Sequence, residues 1–370
     1  MSLQRPRLRI GTRESRLARW QAEHVASAIR ALAGAPEPEL VLIRTEGDRI
    51  QDVPLSQVQG KAFFTKEIEE ALLRDRVDVA VHSLKDLATQ MPGGLVLGAV
   101  MERDDPRDAL LLRAGLDQLP AGATVGTSSL RRRAFLARWR PDLELAELRG
   151  NVPTRIRKLD EGRYDAIVLA AAGVKRLGLE ARISDYLPFE FFLPAVSQGA
   201  IGVQIRADDV ETAEWVGHLD HPATRWATAA ERALLRTLEG GCQVPVGALA
   251  QVISDGQGSF GEVVWAAPGA SGAAGQGELA QAGQEVSESA GPGVLVQGAP
   301  GAPATTAGGP RRRLWLRASL CSLDGKRAVE GERWAPVEEA QELGITLAEE
   351  LYERGGHEIL DEIRKASGGR

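Results

Sequence analysis

Asp78-Val79-Ala80-Val81-His82-Ser83-Leu84-Lys85-Asp86 runs from an apolar stretch of small and β-branched residues into a charged pair. Val79-Ala80-Val81 has the texture of a buried strand in a helix-covered parallel sheet. Lys85 and Asp86 then fall just past the carboxyl end of that strand, where open α/β sheets bind their ligands. Asp86 is a candidate acid, base or cation stabiliser, with Lys85 beside it. The plain alternative is a solvated Lys-Asp loop pair.

On either side, strand and helix patterns alternate. Strands are predicted at 8–11, 40–44, 78–82, 95–100, 124–126, 165–170 and 201–206. Helices are predicted at 15–32, 65–74, 129–139, 153–160 and 222–237, from apolar residues recurring at helical spacing. Such alternation predicts parallel sheets with covering helices. After Val246 the texture turns strand-rich, at 247–253, 314–322 and 327–334. A last helix is expected at 337–354, ended by Gly355-Gly356. The fold class is therefore α/β for the first two-thirds, followed by a smaller α+β domain.

The chain has 370 residues, enough for two or three domains. Its net charge of −6 speaks against nucleic acid as a partner. Glycine is in excess, at 41 residues, and the excess is local: residues 256–310 hold 14 glycines, 12 alanines and 5 prolines. With few large side chains to bury, that stretch is expected to be a flexible insertion. Two cysteines, Cys242 and Cys321, exclude a disulfide framework. No apolar h-region follows Met1, and the longest apolar run, 166–174, is too short to span a bilayer. A cytoplasmic protein with no membrane association is expected. Of 45 basic residues 38 are arginine, the side chain whose planar guanidinium makes bidentate pairs with carboxylates.

Three further segments are candidates for chemistry. Gly126-Thr127-Ser128-Ser129-Leu130-Arg131-Arg132-Arg133 puts hydroxyls and exposed amides at a helix start, a ready anion site. Arginines in a first helical turn oppose the helix dipole, so an anion is expected to offset them. Leu148-Arg149-Gly150-Asn151-Val152-Pro153-Thr154-Arg155 is a second strand-to-helix loop rich in arginine. Glu239-Gly240-Gly241-Cys242-Gln243-Val244-Pro245 places a thiol on a glycine loop, as a nucleophile or attachment point. Cys321 lies in an apolar strand and is expected in the core.

With these segments in order, the chain resembles the porphobilinogen deaminase (hydroxymethylbilane synthase) family over about 7–254 and 313–365. The matching runs include Gly11 through Ser15 with Gln21, Gly60-Lys61 with Phe64, Asp78 through Asp86, and Arg103 through Asp108. They continue with Val125 through Arg132, Leu148 through Asn151, Tyr164 through Arg176, Leu193 through Gly199, and Glu231 through Pro245. Leu238-Glu239-Gly240-Gly241-Cys242-Gln243-Val244-Pro245 is the most specific of them.

The resemblance implies a transferase that joins four porphobilinogen molecules head to tail, releasing ammonia and then hydroxymethylbilane. It implies a dipyrromethane cofactor held by a thioether at Cys242, and Asp86 as the residue stabilising positive charge on the reacting pyrrole. Each pyrrole carries an acetate and a propionate. By the same resemblance Arg13, Arg131, Arg132, Arg149, Arg155 and Arg176 bind these carboxylates. Lys85, Ser15, Thr127, Ser128, Ser129 and Gln198 assist them, and Lys61 and Phe64 belong to a loop covering the site. The implied architecture is two periplasmic-binding-protein-like α/β domains around a cleft, built from 1–101 with 198–218 and from 102–197. A smaller α+β domain, 219–370, carries the cysteine, and the protein is expected to be a monomer. Ser197 stands where the family usually has glycine, and Leu87-Ala88, Ala62 and Phe63 also depart from its pattern. A non-catalytic binder of polycarboxylates is the competing reading, since the two-lobed fold serves transport receptors too.

Overall fold

The computed structural model describes residues 6–49, 64–238, 244–254 and 312–368. Lys61, Cys242 and the 256–310 stretch lie outside these residues. Three sheets organise the rest. The first holds β1 (Arg7–Arg13), β2 (Glu37–Ile43), β3 (Val79–Ser83), β4 (Leu95–Val100) and the late strand β10 (Ile201–Arg206). The second holds β5 (Asp108–Leu112), β6 (Thr124–Gly126), β7 (Glu144–Ala146), β8 (Ala166–Ala170) and β9 (Asp185–Tyr186). The third is an antiparallel ribbon of β11 (Val246–Ser254), β12 (Arg312–Cys321) and β13 (Ala328–Pro336).

The first two sheets share one plan. Their orders are β2-β1-β3-β10-β4 and β7-β6-β8-β5-β9. In each, three strands run parallel and the fourth position is taken by an antiparallel strand adjoining a crossing between the lobes. The sheets are therefore mixed, not parallel as the alternation predicts. Strand β5 follows the outward crossing and β10 follows the return, so each enters its sheet against the grain.

Local chemistry starts the helices. Ser15 caps α1 (Arg16–Arg30) by accepting from the Ala18 amide, and Ser129 caps α4 (Leu130–Trp139) through the Arg132 amide. Asn151 caps α5 (Val152–Asp160), with Pro153 in its first turn. Between these, α2 (Glu46–Arg49) is a single turn and α3 (Lys66–Leu73) buries Ile68, Ala71 and Leu72. Then come α6 (Ala171–Lys175), α7 (Val210–Gly217) and α8 (Pro222–Leu238). The C-terminal helix is two helices: α9 (Ala340–Leu351) and α10 (His357–Gly368). Gly355 does adopt a positive φ of 106°, as a helix stop requires, but the chain re-enters a helix two residues on.

The central strand of the third sheet, β12, is buried on both faces by alternation. Leu314, Leu316, Ala318 and Leu320 pack with α8 and α9, while Trp315 and Cys321 join Phe135, Trp139 and Phe192 of the second lobe. Gly344 on α9 sits so close to α8 that a β-carbon would overlap the Ala230 carbonyl.

One buried carboxylate ties the three parts together. Glu231 on α8 accepts from Arg103 Nη1 at 2.6 Å, from the Ser197 amide at 2.6 Å and from the Ala250 amide at 2.8 Å. Arg103 and Ser197 lie on the two crossings between lobes. There Asp104 donates its amide to the Gly199 carbonyl, and a β-carbon at Gly199 (φ 91°) would overlap Asp104. Arg232, next along α8, donates to the Leu87 and Ala88 carbonyls just after the Lys85-Asp86 turn.

Candidate active site

The carboxyl ends of β1, β3 and β8 open on one cleft between the lobes, which α4 and α5, the helices after β6 and β7, also line. Arg13 ends β1, and a 3-10 turn, Leu84–Asp86, follows β3. Across from them, Thr127 follows β6, Arg149 follows β7 and Arg155 stands on α5. Arg176 caps α6, directly after β8.

The cleft has two adjoining compartments. One, of about 520 Å³, is lined by Lys85, Arg132, Arg155 and Arg176 among others. The second, of about 410 Å³, is lined by Arg13, Ser15, Phe64, His82, Ser83 and Asp86 among others. Gln21 and Ser83 line both and bond to each other, Nε2 to Oγ, at 2.8 Å. Phe64 lies under the Arg13 guanidinium, 4.3 Å from its ring centre.

Positive charge is crowded here. Lys85 is reached by solvent through the cleft, yet its ammonium is packed among protein groups, donating to Gln198 Oε1 at 3.2 Å. That enclosure, with Arg131 and Arg132 nearby, lowers its pKa to about 8 against the pull of Asp86. Burial, reinforced by Arg132 and Arg149, brings even Arg155 down to about 10, again opposed by Asp86. Burial also lowers Arg176, whose guanidinium donates to the Gly199 carbonyl and lies 3.4 Å from Asp104.

The anion expected beside the first-turn arginines is the protein's own. Asp108 on β5 takes Arg131 and Arg132, each at 2.7 Å. Burial alone would raise its pKa, but the two guanidiniums hold it at about 2. Arg131 is thereby fixed in the interior, donating also to the Leu193 carbonyl, while Arg132 lines the larger compartment. Gln198 bridges the two lobes: its Nε2 donates to Asp108 and to the Pro106 carbonyl, leaving Oε1 for Lys85.

The three hydroxyls of the 127–129 run differ in what they can offer. Ser128 donates to the Leu148 carbonyl and accepts from the Leu148 amide. It therefore ties two loops together, where the sequence reading placed it among the carboxylate binders. Thr127 accepts from the Ser129 amide and Ser129 from the Arg132 amide, so each keeps its hydroxyl proton to donate. Asp108, Glu231, Gln21 and Ser83 fall in the family-matching segments, but their roles come from the geometry alone. A lone aspartate at the end of a charged loop gives no local signal that two arginines will converge on it.

The donor set fits a polyanion with several separated carboxylates: cations on both lobes, one carboxylate in their midst, and space for flat rings. Fold and site thus define a class, a two-lobed α/β protein with a polycarboxylate-binding cleft and an acidic group at its centre. Residues 8–214 match the family model of the porphobilinogen deaminase dipyromethane cofactor binding domain, and 226–288 match that of the porphobilinogen deaminase C-terminal domain. The porphobilinogen deaminase of Geotalea uraniireducens is 44% identical over 357 residues, covering 96% of this chain and 94% of its own. That of Geobacter sulfurreducens is 44% identical over 358 residues, covering 96% and 95%. The chain belongs to the porphobilinogen deaminase family. It is a transferase of tetrapyrrole biosynthesis that condenses porphobilinogen stepwise on a dipyrromethane cofactor, releasing ammonia and then hydroxymethylbilane.

Proposed function

We propose that the cleft performs this condensation by holding every carboxylate on a cation and every reacting pyrrole against Asp86. The gathering of Arg13, Lys85, Arg132, Arg155 and Arg176 in two adjoining compartments, the smaller of them lined also by Asp86, carries the reading. When bound, the dipyrromethane supplies the free pyrrole carbon onto which the first substrate unit is joined. Lys85, Arg132, Arg149, Arg155 and Arg176 would hold the acetate and propionate arms, with Thr127 and Ser129 donating beside them. Arg131 acts through Asp108, setting the position of Arg132. Ser15 orders the amides of the first turn of α1 next to Arg13. Asp86 stabilises the positive charge that the pyrrole acquires as ammonia departs. Gln198 fixes Lys85 to the opposite lobe. Cys242 is the proposed attachment point, and Lys61 with Phe64 the proposed cover.

We assign the domains as 1–101 with 198–218, 102–197, and 219–370. Each of the first two contains one five-stranded sheet, and the third contains the antiparallel ribbon. No helix among the described residues is long and apolar enough to cross a membrane. A monomer working in the cytoplasm, with porphobilinogen and no nucleic acid as partner, completes the proposal.

Intact mass spectrometry tests it. The purified protein should exceed its sequence mass by one dipyrromethane, and Cys242→Ala should lose that increment. Asp86→Ala should keep the increment but form product at least 100-fold more slowly, read by oxidation of the product to porphyrin. An unmodified Cys242 in active protein, or normal turnover in Asp86→Ala, would overturn these assignments.

A further inference from the structure

His82 is buried at the end of β3 and lines the smaller compartment with Ser83 and Asp86. Behind it runs a buried polar chain that fixes its tautomer. Thr65 Oγ1 donates to Glu69 Oε2 at 3.4 Å, and Gln204 Nε2 donates to Glu69 Oε1 at 3.1 Å. A carboxylate only accepts, so the Gln204 amide must turn its Nε2 to Glu69 and its Oε1 to His82. His82 Nε2 lies 3.2 Å from that Oε1 and must therefore carry the ring proton. Nδ1 is left as a bare acceptor, and it has no hydrogen-bond partner among the described residues. Burial, with Arg13 nearby, lowers the imidazole pKa to about 4, so the ring is neutral at physiological pH.

This compartment is thus lined by three residues that can accept a hydrogen bond: His82 at Nδ1, Ser83 at Oγ and Asp86 at its carboxylate. Arg13 stands at the same compartment, suited to a carboxylate and unsuited to a cation. Porphobilinogen has carboxylate arms and one aminomethyl group, an ammonium at neutral pH, and only the latter brings several N–H donors to one point. We propose that His82 is a substrate-contacting residue whose Nδ1 accepts a hydrogen bond from the aminomethyl nitrogen of porphobilinogen, making this compartment the leaving-group pocket. As the C–N bond breaks, its electron pair stays on nitrogen, which departs as neutral ammonia. The positive charge passes to the pyrrole ring, where Asp86 faces it. A neutral acceptor holds the nitrogen without taking its proton, and the Gln204–Glu69–Thr65 chain keeps Nδ1 from becoming a donor.

The inference rests on the family activity, which the mass measurement tests separately. Its own test compares porphobilinogen with an analogue bearing methyl in place of aminomethyl, used as a competitive inhibitor. In the holoenzyme, His82→Leu should raise KM for porphobilinogen about 10-fold, the size of one lost hydrogen bond to a charged group. The inhibition constant of the methyl analogue should stay unchanged. His82→Asn, which can present an oxygen near the Nδ1 position, should recover most of the loss. Equal losses for both ligands, or no loss for either, would overturn the proposal. Nitrogen-15 spectra of histidine-labelled holoenzyme give a readout independent of His82→Leu folding. They should show His82 protonated at Nε2 only, down to about pH 5, and a proton on Nδ1 would overturn the assignment.

Discussion

Ser197 shows how much one side chain can cost. It has a φ of 62°, is fully buried, and its Oγ has no hydrogen-bond partner among the described residues. A β-carbon in the left-handed region costs about 1–2 kcal/mol, and an unsatisfied buried hydroxyl adds about 1 kcal/mol or more. Glycine removes both and leaves the amide's bond to Glu231 intact, at some cost in unfolded-chain entropy. Ser197→Gly should therefore stabilise the protein by about 1 kcal/mol, read from denaturant unfolding; a destabilised variant would refute the strain. Lys85 gives a prediction in pH. Its lowered pKa means that cofactor-free protein loses this cation as pH rises through about 8, not through the ordinary lysine range. Affinity for a benzenetetracarboxylate probe should accordingly fall above pH 8, and Lys85→Arg should move that fall upward. The stability term has the opposite sign. Between about 8 and 10.5 the unfolded chain holds the proton more tightly, so this group's contribution to stability rises with pH. A probe affinity that is flat from pH 7 to 10 would contradict the lowered pKa.

At the scale of elements, legibility followed the locality of the signal. Strand β3 and the turn after it could be read because apolar run and charged pair adjoin in the chain. The helix starts at Ser129 and Asn151 were legible from capping chemistry, which acts within three residues. Strand β5 was missed: Asp108–Leu112 is short, follows a charged loop, and is defined by pairing with β8, more than fifty residues on. The antiparallel strand in each sheet was illegible for the same reason, since direction is set by where the crossings enter. The candidate cations were legible as residue types, but not the division between Arg132, at the cleft, and Arg131, held behind it by Asp108. Glu231 belongs to this scale because it joins helix, crossings and strand. Replacing it by glutamine leaves the buried Arg103 guanidinium uncompensated. Glu231→Gln should cost about 3–5 kcal/mol in denaturant unfolding, and a loss under about 1 kcal/mol would show that the junction is not held by charge.

For the whole molecule, the ends of the 255–311 connection are fixed by the ribbon, where Ser254 pairs with Arg312. A long connection between paired ends carries a closure entropy that a tight turn does not. Replacing 255–311 by a four-residue turn should stabilise the protein by about 2 kcal/mol and leave kcat unchanged. A fall in either would show that the segment has contacts of its own. The shared plan of the two sheets has a further consequence, for the timing of synthesis. The second sheet is complete once residue 186 has been made, whereas β3 gains its partner β10 only at 201–206. At about 5–20 residues per second, the ribosome leaves that edge of β3 open for roughly 6 to 24 s. Through that interval the nascent first lobe exposes apolar Val79, Ala80 and Val81 beside unpaired backbone groups, and the second lobe gains the last of its five strands, β9, before β10 is made. A chaperone that recognises extended apolar chain would find its binding window there, and would be released by the arrival of a single strand.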